Sequence, residues 1–203
     1  MEIIKNKALL LKLRHPQQVT TVIPKSKEVN GKVLVRWGVD ETHVLKNLNI
    51  KVPSPIHGQY DWPGQYKPFA HQKDTSAFLT MNRKAFCFNE QGTGKTASAI
   101  WASDFLMKQG IIKRVLIICP LSIMDSAWRS DLFSFAMHRS VDIAYGSADK
   151  RRKIINSGAE YVVINYDGVA IVRDDIIKGG FDLVIVDEAT HYKNAQTTRW
   201  KTL

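Results

Sequence analysis

Ala85-Phe86-Cys87-Phe88-Asn89-Glu90-Gln91-Gly92-Thr93-Gly94-Lys95-Thr96 is the stretch whose reading decides the fold. An apolar run is followed by a loop with two glycines, and then by Lys-Thr at the head of the segment Thr96–Met107. The order predicted is strand, loop, helix. In that order the N–H groups of the loop and of the helix N-terminus converge, which suits a chain of phosphates. Gly92 and Gly94 let the backbone approach closely. Asn89 stands where the strict pattern has Gly, and Asn adopts positive φ more readily than most residues. Gly92, Thr93, Gly94, Lys95 and Thr96 are therefore candidate phosphate-binding residues. Lys95 would place its ammonium on the β and γ phosphates, and the Thr96 hydroxyl would coordinate magnesium. The alternative is a Gly-rich turn before an ordinary helix, and the flanking strand and helix favour the phosphate loop.

Downstream, apolar strands alternate with helical segments: Val115–Cys119, Ile123–Ala136, Val141–Tyr145, Ala148–Ile155, Tyr161–Ile164 and Phe181–Val186. Strands apolar throughout are expected where helices cover both faces of a parallel sheet, so the pattern predicts a doubly wound α/β fold. The last strand ends in Asp187-Glu188, at the carboxyl edge where open α/β sheets bind ligands. Alone, such a pair is commonly a solvated loop start or a helix cap. Paired with a phosphate loop it gains roles: Asp187 holding the magnesium through water, and Glu188 orienting or deprotonating an attacking water. Gln72 lies 23 residues before Lys95 on a predicted helix, and its amide can offer adenine both a donor and an acceptor.

The first third of the chain has a different pattern. Ala8–Leu13, Val19–Ile23, Lys32–Trp37 and Thr42–Leu48 read as short strands, and Asn30-Gly31 as a type I′ hairpin turn. Residues 53–67 hold Pro, Gly and the aromatics Tyr60, Trp62 and Tyr66, a composition that interrupts regular structure. These aromatics either pack between domains or stack on bases. The organisation predicted is a small basic β domain over 1–52, a linker over 53–67 and an ATP-binding lobe over 68–203.

The net charge is +10 over 203 residues, from 29 Lys/Arg against 19 Asp/Glu. Residues 1–68 carry 11 against 5, and the remainder 18 against 14. Such a surplus favours a polyanionic partner, because Lys and Arg displace counterions condensed on phosphates. Cys87 and Cys119 both fall in apolar runs, which implies neither a disulfide framework nor a zinc site. Ala8 to Leu11 is too short to span a bilayer, and the expectation is an intracellular protein, cytoplasmic or nuclear.

Four segments together resemble the superfamily 2 helicases, and among them the Snf-type DNA translocase ATPases. They are Asn89 to Thr96; Cys119-Pro120-Leu121-Ser122-Ile123-Met124 with Trp128; Val163-Ile164-Asn165-Tyr166; and Asp187-Glu188-Ala189-Thr190-His191-Tyr192-Lys193-Asn194. The family usually has His where Thr190 stands. The resemblance covers about residues 68–203 and implies a RecA-like P-loop lobe that uses ATP and magnesium. It implies nucleic acid, double-stranded DNA above all, as partner, with Ser122, Asn165 and Tyr166 as contacts to the backbone. It further implies a second RecA-like lobe supplying an arginine finger, so the chain is expected to be one part of a larger or split motor, weakly active alone. From the residues themselves, Ser122 is either an N-cap or a phosphate contact. Trp128 reads as core, and Lys150-Arg151-Arg152-Lys153 as a solvated face or an added phosphate contact. The competing function is a nucleotide-regulated nucleic-acid-binding module without motor activity.

Overall fold

Residues 1–188 are described by a computed structural model. The end of the acidic segment, including Thr190, His191, Lys193 and Asn194, lies outside the described residues, as does everything to Leu203. The chain forms two compact units, Met1–Asp61 with Phe69–Asn89, and Trp62–Pro68 with Glu90–Leu203.

In the first unit, β1 (Glu2–Ile4), β2 (Ala8–Leu11), β3 (Lys27–Val29) and β4 (Lys32–Arg36) form an antiparallel sheet in the order β1-β2-β4-β3. The β3–β4 turn is the expected one: Val29 faces Lys32, and Asn30 and Gly31 both take positive φ, at 50° and 71°. Leu9 and Leu11 on β2 and Val33 and Val35 on β4 point to one face, in the alternation that a half-covered sheet requires. That face is covered by two segments expected to be strands. Val19–Ile23 lies largely in helix α1 (Gln17–Val22), and Thr42–Leu48 largely in helix α2 (Val39–Asn47). Val19 and Ile23, four residues apart, and Leu45 reach the same core, a spacing that suits a helix face. Tertiary burial has overridden the β preference of Val19, Thr20, Thr21 and Val22. Two further helices follow, α3 (Ile56–Gln59) and α4 (Ala70–Thr80), and the Ser54 hydroxyl just before α3 pairs with that of Thr80 at the end of α4 at 3.1 Å.

Ala85–Phe88 is not a strand. Phe86 and Phe88 are 74% and 88% exposed, and their rings stack on each other at 5.7 Å. Neither ring is buried against a neighbouring strand. Asn89 does not take positive φ, and its amide donates to Thr75 Oγ1 at 2.9 Å.

The second unit is the α/β fold expected. Helix α5 (Lys95–Lys108) leads to β5 (Val115–Cys119). A helical run then combines a 3₁₀ turn (Leu121–Ile123), a π-helical turn (Met124–Arg129) and α6 (Ser130–Ala136). After it come β6 (Val141–Ala144), α7 (Ala148–Ile155), β7 (Tyr161–Asn165), α8 (Tyr166–Ile171), α9 (Arg173–Lys178) and β8 (Leu183–Val186). All pairings are parallel, in the order β6-β7-β5-β8. Odd-numbered residues of β5 and β7, from Val115 to Val163, pack with Ile100 and Met107 of α5 and with Trp128 and Leu132. Even-numbered ones, such as Leu116, Ile118, Val162 and Ile164, pack with Ile155, Val169 and Val172 on the opposite face. Every residue of these two strands is buried, so both faces need apolar side chains.

Within the same unit, Trp62 packs edge-on against Trp101 at 5.8 Å, and Trp101 Nε1 donates to the Pro63 carbonyl at 3.0 Å. Tyr66 lies against Phe135 at 6.2 Å. Gly64 is required there: at φ +112° a Cβ would stand 2.4 Å from the Ser134 carbonyl oxygen. Among the described residues no helix is long and apolar enough to cross a membrane.

Candidate functional site

Three segments meet the carboxyl edge of the parallel sheet. Cys119 ends β5, Asn165 ends β7 beside it, and Asp187 follows β8, its N–H bonded to the Ile118 carbonyl at 2.9 Å. A fourth element approaches the same edge: the short connection 109–114 leads from α5 to the start of β5, so α5 runs back along the sheet and its first residue, Lys95, lies towards the carboxyl end. With 14 residues, α5 is about 21 Å long, enough to cross the sheet.

The loop before α5 has the geometry of an oxygen cradle. Gly92 and Gly94 both sit at φ 76°, in the left-handed region, and a Cβ at Gly92 would meet nothing within 4 Å. Thr93 Oγ1 donates to the Glu90 carbonyl at 2.7 Å, and Lys95 Nζ donates to the same oxygen at 2.9 Å. A hydroxyl and an ammonium thus converge on a single oxygen at the N-terminus of a helix, where negative charge is favoured. A phosphate oxygen is a stronger acceptor than a carbonyl, so the donor set fits a phosphate group. Thr96 is half-buried in the first turn of α5.

The acidic pair is held from several sides. Asp187 Oδ2 accepts from Trp128 Nε1 at 3.0 Å, and Oδ1 accepts from the Glu188 N–H at 2.9 Å. The Tyr166 hydroxyl donates to the Asp187 carbonyl and, at 3.2 Å, to the Glu188 carbonyl. Glu188 itself is exposed and adopts φ 55°, uncommon for a residue with a side chain. A carboxylate fixed by two donors keeps further lone pairs for water or a cation. Burial, and secondarily the charge of Asp187, push the Cys119 thiol up to about 12. That cysteine is neutral filler next to the carboxylate.

The other expected residues are placed less uniformly. Ser122 is exposed, as a surface contact needs, but it does not cap the following helix. It lies inside the 3₁₀ turn, where its carbonyl accepts from Ser126 Oγ at 2.9 Å. Asn165 and Tyr166 are 8% and 6% exposed. Asn165 Oδ1 accepts from Arg151 Nη1 at 2.9 Å, and the Tyr166 hydroxyl serves the acidic turn, so both side chains face inward. Arg151 corrects the reading of 150–153 as a uniform charged face. It is buried, and it also donates to the carbonyls of Ala144 at 2.7 Å and Gly146 at 3.0 Å. Gln72, in the first unit, accepts the Phe69 N–H on Oε1 at 3.0 Å, bracing the start of α4. The signal that could have pointed to Trp128 is its indole N–H, a donor that usually finds a partner when buried.

The parallel α/β lobe, together with the similarities that follow, places the chain in the RecA-like class of superfamily 2 helicases and translocases. Residues 65–203 match the family described as "Type III restriction enzyme, res subunit", and the chain belongs to that family. It is 27% identical over 140 residues to "Uncharacterized ATP-dependent helicase YqhH" of Bacillus subtilis (strain 168), covering 67% of this chain and 24% of that protein. It is 29% identical over 122 residues to "ATP-dependent helicase fft1" of Schizosaccharomyces pombe (strain 972 / ATCC 24843), covering 57% and 13%. The chain thus spans about a quarter or less of the length of these relatives. Its fold is similar to the Sulfolobus solfataricus SWI2/SNF2 ATPase core solved in complex with dsDNA, with TM-score 0.59 and 24% identity over 70% of this chain and 30% of that one. It is likewise similar to the Sulfolobus solfataricus SWI2/SNF2 ATPase core domain, with TM-score 0.56 and 24% identity over 68% and 29%.

Proposed function

We propose that this chain is the nucleotide-binding first lobe of a nucleic-acid-dependent ATPase that moves along double-stranded DNA. The observation that carries the reading is the convergence of Thr93 Oγ1 and Lys95 Nζ on one oxygen at the head of α5. Gly92, Thr93 and Gly94 line the phosphates, Lys95 binds the β and γ groups, and Gln72 reads adenine. Thr96 and Asp187 are the residues that would hold magnesium, which when bound neutralises charge on the phosphates. Glu188 orients the attacking water and accepts its proton. Ser122, exposed at the sheet edge, contacts a DNA phosphate, while Asn165 and Tyr166 support that edge from beneath.

Similarity to helicases about three to five times its length supports a second lobe that completes the hydrolytic site. Loss of an arginine finger costs about 10³–10⁵ in rate in related systems, so residues 1–203 alone should bind ATP far better than they hydrolyse it.

The test is Lys95→Ala in the whole protein, followed by ATP binding and thermal melting. Nucleotide affinity should fall about tenfold or more, because hydrogen bonds to charged groups contribute about 1.5–3 kcal/mol, while the fold is kept. Unchanged ATP affinity and turnover would refute the reading. The alternative, a nucleotide-regulated binding module, predicts that the whole protein binds ATP and DNA but shows no duplex-stimulated turnover.

A further inference from the structure

Between exposed Ser122 and the buried end of its helical run lies the π-helical turn Met124–Arg129. Such turns are rare overall, and they are frequent at functional sites. Trp128 lies in this turn. It is 1% exposed, its ring packs in the core layer with Met124 and Leu132, and its indole N–H meets Asp187 Oδ2 at 3.0 Å. An indole has one polar function, and here it is spent on the acidic pair. From the other side, Tyr166 follows Asn165 at the end of β7 and bonds to the carbonyls of Asp187 and Glu188. Two segments of the sheet edge, the one carrying Ser122 and the one that supports it, therefore each send one donor to the Asp187-Glu188 turn.

We infer that Trp128 and Tyr166 are positioning residues that couple nucleic-acid contact at Ser122 to the orientation of the Asp187 carboxylate, and thereby to the grip on the metal–nucleotide complex. The inference rests on the function proposed above. A phosphate seated at Ser122 acts on the 3₁₀ and π-helical turns, and Trp128 passes the change to Asp187 through one hydrogen bond. Coupling of this kind is reciprocal: if duplex DNA changes the affinity for the metal, the metal changes the affinity for DNA by the same factor.

The experiment titrates the whole protein, loaded with ADP, with Mn2+ and follows binding by electron paramagnetic resonance, with and without duplex DNA. In the unaltered protein, duplex should shift the Mn2+ affinity. Trp128→Phe keeps an aromatic ring and removes the donor. It should weaken Mn2+ binding about tenfold, as loss of an outer-shell partner does, and abolish the shift by duplex. Tyr166→Phe removes a single hydroxyl and should reduce that shift, so it decides the matter if Trp128→Phe fails to fold. ADP affinity without metal should stay unchanged in both. Absence of a duplex effect in the unaltered protein would overturn the inference, as would a folded variant with unaltered Mn2+ affinity and an unaltered duplex effect. ADP affinity separates the two levels. If the unaltered protein binds no ADP, or Lys95→Ala binds it equally well, the proposed function itself fails. If Lys95→Ala loses ADP while Trp128→Phe changes nothing, only the coupling fails.

Discussion

Cys119 sits at the end of β5 with no exposed surface and a thiol pushed up to about 12 by burial and by Asp187. Since the thiolate is the nucleophile, native protein treated with an alkylating reagent should be modified at partly exposed Cys87 and spared at Cys119 until it is unfolded. Peptide mass spectrometry checks this, and early labelling of Cys119 would contradict the packing described. At this scale the loop before α5 was the most legible part of the candidate site, because glycine, lysine and threonine at fixed spacing each carry a separate chemical requirement. The acidic pair was legible for the same reason. Asn165 and Tyr166 were less so: a polar side chain after a strand serves a ligand or an internal partner equally well, and only coordinates show Arg151 and the acidic turn taking them up. Arg151 was hidden in a basic run, since sequence does not reveal which of four adjacent cations turns inward. Gly168 is part of the answer, because a Cβ there would lie 2.2 Å from the Arg151 guanidinium.

Helix α5, the segment after α6 and the residue before β7 are tied by a polar cluster centred on buried Asp104. Asp104 of α5 is fully buried and binds Arg139 Nε at 2.6 Å and His138 Nε2 at 2.9 Å. Arg139 also binds Glu160, whose Oε2 accepts the Ser140 N–H at 3.0 Å. Burial alone would raise the Glu160 pKa, but the Ser140 N–H and Arg139 outweigh it and hold the carboxyl below its ordinary value of 4.5. A depressed carboxylate contributes stability that is complete above its unfolded value and lost as pH falls through its folded one. The melting temperature should therefore drop on acidification below pH 4.5, and Glu160→Gln should flatten that limb. An unchanged slope would show the group to be uncoupled from folding. Element type was legible from residue 95 to 165 and again at β8, where apolar runs have few alternative readings, while α8 and α9 were not read from the sequence. It failed at 19–23 and 42–48, where β-branched residues favour a strand locally but the sheet needs a helix to cover its apolar face. It failed also at 85–88, whose two phenylalanines are exposed and stack on each other outside any sheet.

The whole molecule joins a basic antiparallel unit to an ATPase lobe, and its charge is the handle for separating their roles. Lys12, Arg14, Lys25 and Lys27 are exposed on the first unit. Replacing all four with Gln removes positive charge without touching the phosphate loop. The motor reading expects nucleotide affinity and duplex-stimulated turnover to persist, with DNA binding somewhat weaker and less salt-dependent. Complete loss of DNA affinity in a filter-binding titration would instead favour the binding-module reading. The two-sided burial of β5 has a consequence for how this lobe can change over time. Its odd positions belong to one helix layer and its even positions to the other, so the strand works as a parity check on the reading of the chain. Inserting a single residue would exchange the layers and deliver Cys119 and the edge behind it to the wrong side, whereas a pair would keep the layers and only lengthen the lever towards the site. Lineages of this fold should tolerate length changes in β5 by twos or not at all.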